Sequence, residues 1–161
     1  MPTQDRTTIK TAMKSLMAGL RAGLVADPPT LAKPFRKIEE GEAGPNEYVR
    51  PFMTVRLTKT EPLNTTEGDK IVQATLAMRL VTDVVSDDPH DAILDAVGAV
   101  EDYFDNLQIT EQAVVEGADG LDDRQWTLTY PVGSSGTRIA QAGCEQTFVV
   151  KVQRAQNRVA G

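Results

Sequence analysis

The sequence predicts an α+β fold: one antiparallel sheet of about four main strands, with two helices packed on one face, in the order α-β-β-α-β-β. Three observations predict it. Two segments repeat their apolar residues at helical spacing. Four others alternate apolar with polar residues at strand spacing. Clusters of Pro, Gly and Asp separate the segments.

The first helix covers residues 7–24. Ile9, Met13, Leu16, Met17, Leu20 and Leu24 share one face, while Arg6, Lys10, Lys14 and Arg21 lie elsewhere on its surface. Asp27-Pro28-Pro29 stops it, because proline cannot continue a helix. This reads as a basic amphipathic helix lying on a sheet. A membrane-surface helix fits less well, since Gly19 and Gly23 interrupt the segment and it lacks aromatics.

Residues 28–48 have no clear period and read as a long loop. Gly41, Gly44 and Pro45 punctuate an acidic run, and Phe35 with Ile38 suits a short strand. A loop of this length is usually functional or mobile, and a solvated disordered loop stands level with a contact loop as its reading. Met53, Val55 and Leu57 then alternate with Thr54, Arg56 and Thr58, with Pro51 at the strand start. Pro62, Asn64, Gly68 and Asp69 break the chain. Residues 70–84 form the next strand, with Val72, Ala74, Leu76, Met78 and Leu80 on one face and Gln73, Thr75 and Arg79 on the other. The two strands make a long antiparallel hairpin with a polar tip.

The second helix has the clearest start. Asp88 is a good N-cap, Pro89 is preorganised at the first helical position, and Asp91 suits the helix dipole. Ile93, Val97, Val100, Phe104 and Leu107 follow at helical spacing. Asp95, Glu101, Asp102 and Asp105 make the other surface acidic. Ala113-Val114-Val115 suits a short strand in an otherwise irregular stretch. Trp126, Leu128 and Tyr130 alternate with Gln125, Thr127 and Thr129 as a third main strand. After a Gly133-Ser134-Ser135-Gly136 turn, residues 139–154 form the last, with a bulge expected at Gly143. Residues 155–161 read as a flexible tail, and the whole of 1–161 as one domain.

Composition narrows the function classes. The 161 residues include 17 Lys plus Arg against 23 Asp plus Glu, a formal charge of −6. That argues against ordinary nucleic-acid binding, which needs clustered cations. A chain of this length buries roughly 70% of its unfolded surface and needs no metal or disulfide to fold. The lone cysteine, Cys144, excludes an internal disulfide and fits a reducing compartment. One His and one Cys make a structural zinc site improbable. A signal peptide at residues 10–20 is disfavoured by Arg21 and Asp5, and no apolar run reaches the ~20 residues of a membrane helix.

Each candidate for chemistry has a plainer explanation. His90 is a possible general base, but no Ser or Cys lies near it in sequence, and a surface histidine at a helix start explains it. Cys144 on a strand reads as a structural thiol. Asp87, Asp88 and Asp91 read as capping rather than metal-binding. Asp119, Asp122 and Asp123 lack a calcium-loop pattern. The 133–136 loop lacks a Walker lysine and a following helix. No catalytic residue, cofactor site or metal site is expected. Assembly fits better, because long strands reaching past a small core suit contacts between chains. The candidate subunit or partner contacts are Arg50, Arg56, Lys59, Glu61, Lys70, Arg79 and Lys151.

The chain resembles the tail terminator, or tail-completion, proteins of long-tailed bacteriophages and related gene transfer agents. The resemblance rests on four segments: the N-terminal helix ending at Leu24, the strand Arg50-Pro51-Phe52-Met53-Thr54-Val55-Arg56-Leu57, the helix from Asp88 to Leu107, and the closing pair at 126–132 and 139–153 with its Ala-Gln-Ala-Gly. It spans nearly the whole chain but rests on pattern rather than invariant motifs. It implies a homo-oligomer, a hexameric ring, that caps the tail tube, stops its elongation and joins it to the head connector. Partners implied are the tail tube protein, the head–tail connector or stopper protein, and in a contractile tail the sheath. DNA passes through the lumen without specific binding, which an acidic wall favours. No cofactor, membrane or enzymatic activity is implied. The location is the virion, after synthesis in the host cytoplasm. Three alternatives remain: another head–tail neck or head-completion protein, a small α+β dimeric binding module, or a small hydrolase using His90 or the aspartates.

Overall fold

The computed structural model describes residues 9–65, 69–84, 88–106, 113–115, 124–132, 136 and 138–153. Helix α1 (Ile9–Leu24) turns Ala12, Met13, Met17, Leu20 and Leu24 inward. These positions recur every three or four residues, the spacing of one helix face. Burying a side chain such as Met17, Leu20 or Leu24 contributes about 1.5–3 kcal/mol each. Strand β1 (Lys37–Glu40) follows, then β2 (Phe52–Thr65), β3 (Asp69–Asp83), α2 (Pro89–Asp105), β4 (Ala113–Val115), β5 (Thr127–Thr129) and β6 (Ile139–Gln153). The fold is α+β.

The sheet departs from the expected one in three ways. Among the described residues it has six strands rather than about four, the short segments at 37–40 and 113–115 both joining it. It is mixed: β1 runs parallel to β2, pairing Lys37 with Phe52 and Glu40 with Val55. The spatial order is β1-β2-β3-β6, with β4 and β5 meeting different stretches of β6, at residues 148–150 and 141–143. The parallel pair forces a crossover. Residues 41–51 make it, and they bury Ala43 against Phe52, Val81 and Ile139. The 28–48 segment is therefore not one loop: it holds β1 and the start of this crossover.

The strands of the central ribbon follow their sequence pattern closely. On β3, Val72, Ala74, Leu76, Met78 and Leu80 are buried, while Ile71, Gln73, Thr75, Ala77 and Arg79 are half-buried. Their β6 partners Val150, Phe148, Cys144 and Ala142 are buried in the same core as α1 and α2. Gly143 does not sit at a bulge: it stands in regular register opposite Arg79. The irregularities fall on β2 instead, between Leu57 and Lys59 and between Pro62 and Asn64.

Helix α2 begins as its sequence requires. Asp88 is extended (φ −96°, ψ 108°), and its carboxylate accepts from the His90 backbone N–H at 2.9 Å. Ile93, Ala96, Val100 and Phe104 turn inward. The two helices meet where Tyr103 lies over Gly19 and Gly23. A Cβ at Gly19 would stand 2.6 Å from the Tyr103 hydroxyl, and one at Gly23 would stand 2.9 Å from Cε1. These glycines let the ring lie against the α1 backbone.

Candidate interaction surface

The sheet face opposite the main core has two zones. At one end the 41–51 crossover covers it, which is why Thr54, expected to face outward, is 4% exposed. Beyond the crossover lies a shallow open cleft of about 310 Å³. Arg56 and Arg79 both line it, together with Glu42, Thr54, Gly143 and Glu145. Arg79 Nη1 donates to the Ala43 carbonyl at 2.8 Å, anchoring the crossover. Arg56 is half exposed and sits 3.5 Å from Glu42, an exposed pair worth little on its own.

The other sequence-derived contact residues are spread along the ribbon. Lys59 and Glu61 stand two positions apart on β2, exposed, with 3.8 Å between their charged atoms. Lys70 pairs in register with Thr65 and Val152, and Lys151 pairs with Ile71, so both occupy the far end of the ribbon; their side chains lie outside the described residues. Arg50 sits apart from all of these. Its Nε donates to Asp83 at 2.6 Å, and its Nη1 donates to the Pro45 carbonyl at 2.7 Å and to Asn46 at 3.1 Å. Its side chain is only 16% exposed. Arg50 ties the crossover to the end of β3 rather than presenting its charge outward. The seven residues thus form no single patch: Arg56 and Arg79 share a cleft, and the remainder divide between the ribbon and an internal tie.

Sequence reasoning missed a buried cation with three side-chain partners. Arg124 is buried, with a side chain 2% exposed. Its Nε donates to Glu101 at 2.9 Å, Nη1 donates to Gln146 at 2.7 Å, and Nη2 donates to Asp105. Trp126 Nε1 donates to the same Glu101 oxygen at 2.8 Å. Burial works against the charge, but Glu101 and Asp105 outweigh it together and hold the guanidinium above its ordinary pKa. The network ties α2 to the segment entering β5 and to β6. A sequence signal existed: Glu101 and Asp105 are spaced i, i+4, each next to a core residue, Val100 and Phe104.

Of the candidates for chemistry, Asp88, His90, Asp91 and Cys144 lie among the described residues. His90 is exposed, with Nδ1 3.1 Å from Asp88 and its ring edge-on to Tyr130. Its N–H and ring together hold the Asp88 carboxyl below its ordinary range, the backbone hydrogen bond being the larger cause. Cys144 is buried, and its thiol is pushed up to about 12, by burial first and by Glu101 second. Such a thiol stays protonated at neutral pH and is a poor nucleophile. No group of His, Cys, Asp and Glu suited to a metal ion occurs among the described residues. Asp87, Asp119, Asp122 and Asp123, the 133–135 turn and the 155–161 tail lie outside them. Among the described residues no helix is long and apolar enough to cross a membrane. No protein-family model matches the chain, and no curated protein matches it.

Proposed function

We propose that the protein is a structural virion component, a subunit of a hexameric ring that caps a phage tail tube, stops its elongation and joins it to the head connector. On this reading it is not an enzyme. The two helices form one layer over one face of the sheet, and the part of the other face beyond the 41–51 crossover is left for neighbouring subunits. The observation that carries the reading is the β2–β3–β6 ribbon. Its strands are 14, 15 and 15 residues long, so each spans about 45–50 Å. The 17 residues of α2 span only about 25 Å. The ribbon therefore outruns the helix meant to cover it, as a strand layer does when its far end is reserved for another chain. Strands in small domains are typically about 5–6 residues. The exposed ribbon residues Arg56, Lys59 and Glu61 are polar, which suits a contact made and remade during assembly.

The test is native mass spectrometry with negative-stain imaging, then addition of tail tubes. A ring of six, or a ring formed on tube ends that halts further growth, is the expected result. A stable dimer indifferent to tubes overturns the reading in favour of a binding module.

A further inference from the structure

The outward sides of the two helices carry opposite charges. On α1 the exposed charged residues are Lys10, Lys14 and Arg21, with no acid among them. On α2 Asp91, Asp95 and Asp102 are exposed, with no cation among them. The helices are neighbours, yet their charges do not cancel within the chain. Arg21 Nε donates to the Ile38 carbonyl. Lys10, Lys14, Asp91, Asp95 and Asp102 make no ion pair with any other described residue.

This arrangement costs stability in the isolated chain. Lys10 with Lys14 and Asp91 with Asp95 are like-charge i, i+4 pairs, which repel one another along each helix. Asp102 stands in the last turn of α2, at the negative end of the helix dipole. Beside the stripes runs a groove of about 600 Å³, lined by Leu31, Leu94, Gly98 and Tyr103 among others. Leu31 is 74% exposed and Leu94 51%.

We infer that this two-helix face docks a second copy of the chain, with the basic α1 of one copy lying against the acidic α2 of the other. A partner of single sign, whether an anionic surface or a basic peptide, matches one stripe and is repelled by the other. A partner carrying both stripes matches both, and a second copy turned over carries them in the reversed order. The apolar groove gives the contact its desolvated centre, and the charges set its register. The inference does not rest on the ring reading, because it concerns contact between copies whatever the assembly caps.

The experiment is sedimentation of the full chain, wild type and two charge-reversed variants, at ~50 and ~500 mM salt. One variant carries Lys10→Glu and Lys14→Glu, the other Asp95→Lys and Asp102→Lys. Wild type associates at low salt and weakens at high salt. Each variant alone associates about tenfold more weakly, the sum of a few exposed pairs. An equimolar mixture of the two regains wild-type association, in equal stoichiometry. Wild type that is monomeric at low salt overturns the inference. So do variants that associate like wild type, or a mixture that fails to reassociate while both keep a folded circular dichroism spectrum. If a reversed variant does not fold, Lys14→Gln and Asp95→Asn replace it, each expected to weaken association and reduce its salt dependence; no change in either overturns the inference. Failure to cap tubes with this charge-dependent association intact would count against the ring reading alone.

Discussion

Arg124 Nε donates to Glu101 Oε2 at 2.9 Å across 23 positions of sequence, and the same oxygen accepts from Trp126. One carboxylate of α2 thereby holds two residues of the segment entering β5, and Asp105 and Gln146 complete the guanidinium's partners. Removing the cation leaves Glu101 and Asp105 facing each other one turn apart without compensation. Their side chains keep 25% and 33% exposure, so water relieves part of the cost. Arg124→Met is therefore expected to lower stability by about 3 kcal/mol, the low end for a broken buried pair. Urea denaturation measures it. A loss below the range of an ordinary surface pair would show that the network is not a tie.

Cys144 makes a second prediction. Its thiol is raised from 9.0 to about 12 in the folded chain, mainly by burial. The folded state holds the proton more tightly than the unfolded state does. The stability this contributes is fully present below pH 9 and is lost as pH rises toward 12. Native protein at pH 8 should react with a thiol reagent only as fast as it opens, and Cys144→Ser should flatten the alkaline limb of the stability profile. Rapid, stoichiometric labelling of the folded chain would contradict this.

Asp88 responds in the opposite direction. Its folded pKa is lowered below 3.8, first by the His90 backbone hydrogen bond. The cap's contribution is present above the ordinary carboxylate range and disappears as pH falls through the lowered value. Asp88→Ala should reduce the urea midpoint at pH 7. Asp88→Asn should keep most of the cap and remove part of the acid dependence. An acid limb unchanged in Asp88→Asn would assign that dependence elsewhere.

How far the sequence was legible follows the range of the interactions. Helix α2 was readable because Asp88-Pro89 and the apolar spacing are local signals. β3 was readable because alternation is local too. β1 was harder: Lys-Ile-Glu-Glu has one apolar residue, and it is a strand because β2 offers Phe52–Val55 as a parallel edge. No local pattern encodes parallel pairing, and with it the covering of Thr54 went unseen. Arg50 looked like an exposed contact because its acceptor, Asp83, is 33 positions away. Arg124 is hidden in the sequence for the same reason: its acceptors Glu101 and Asp105 lie 23 and 19 positions away, and little in the local sequence separates them from the solvated acids of α2.

The glycines of the helices give a paired prediction. At Gly98 a Cβ would meet nothing within 4 Å, whereas at Gly23 it would stand 2.9 and 3.0 Å from two Tyr103 ring carbons. Gly98→Ala should stabilise the chain by up to about 1 kcal/mol through helix propensity alone. Gly23→Ala gains the same propensity but must displace the ring packed between the helices, and should be net destabilising. Thermal melts of the two variants decide it. Equal gains would mean that Tyr103 moves aside freely and that the close approach of α1 to α2 carries no specificity.

Strand β2 has a free edge over much of its length, among the described residues. Strand β1 pairs only with Phe52–Val55, so β2 from Arg56 to Thr65 has a partner on one side alone, among the described residues. An unpaired edge of that length invites pairing with another chain. Three features of β2 oppose it: the exposed charges of Lys59 and Glu61, a proline at position 62 that lacks a donor, and two register shifts that break the edge's regularity. Self-association through this edge is therefore blocked, which leaves faces rather than edges to make contacts between copies. Replacing Lys59 and Pro62 together by valine should leave the core intact and yet convert the edge into a pairing site. Light scattering and thioflavin fluorescence at neutral pH should rise with time in the double variant and stay flat in wild type. A double variant that stays soluble and keeps the wild-type oligomeric state would show that the edge is protected by something other than its own side chains.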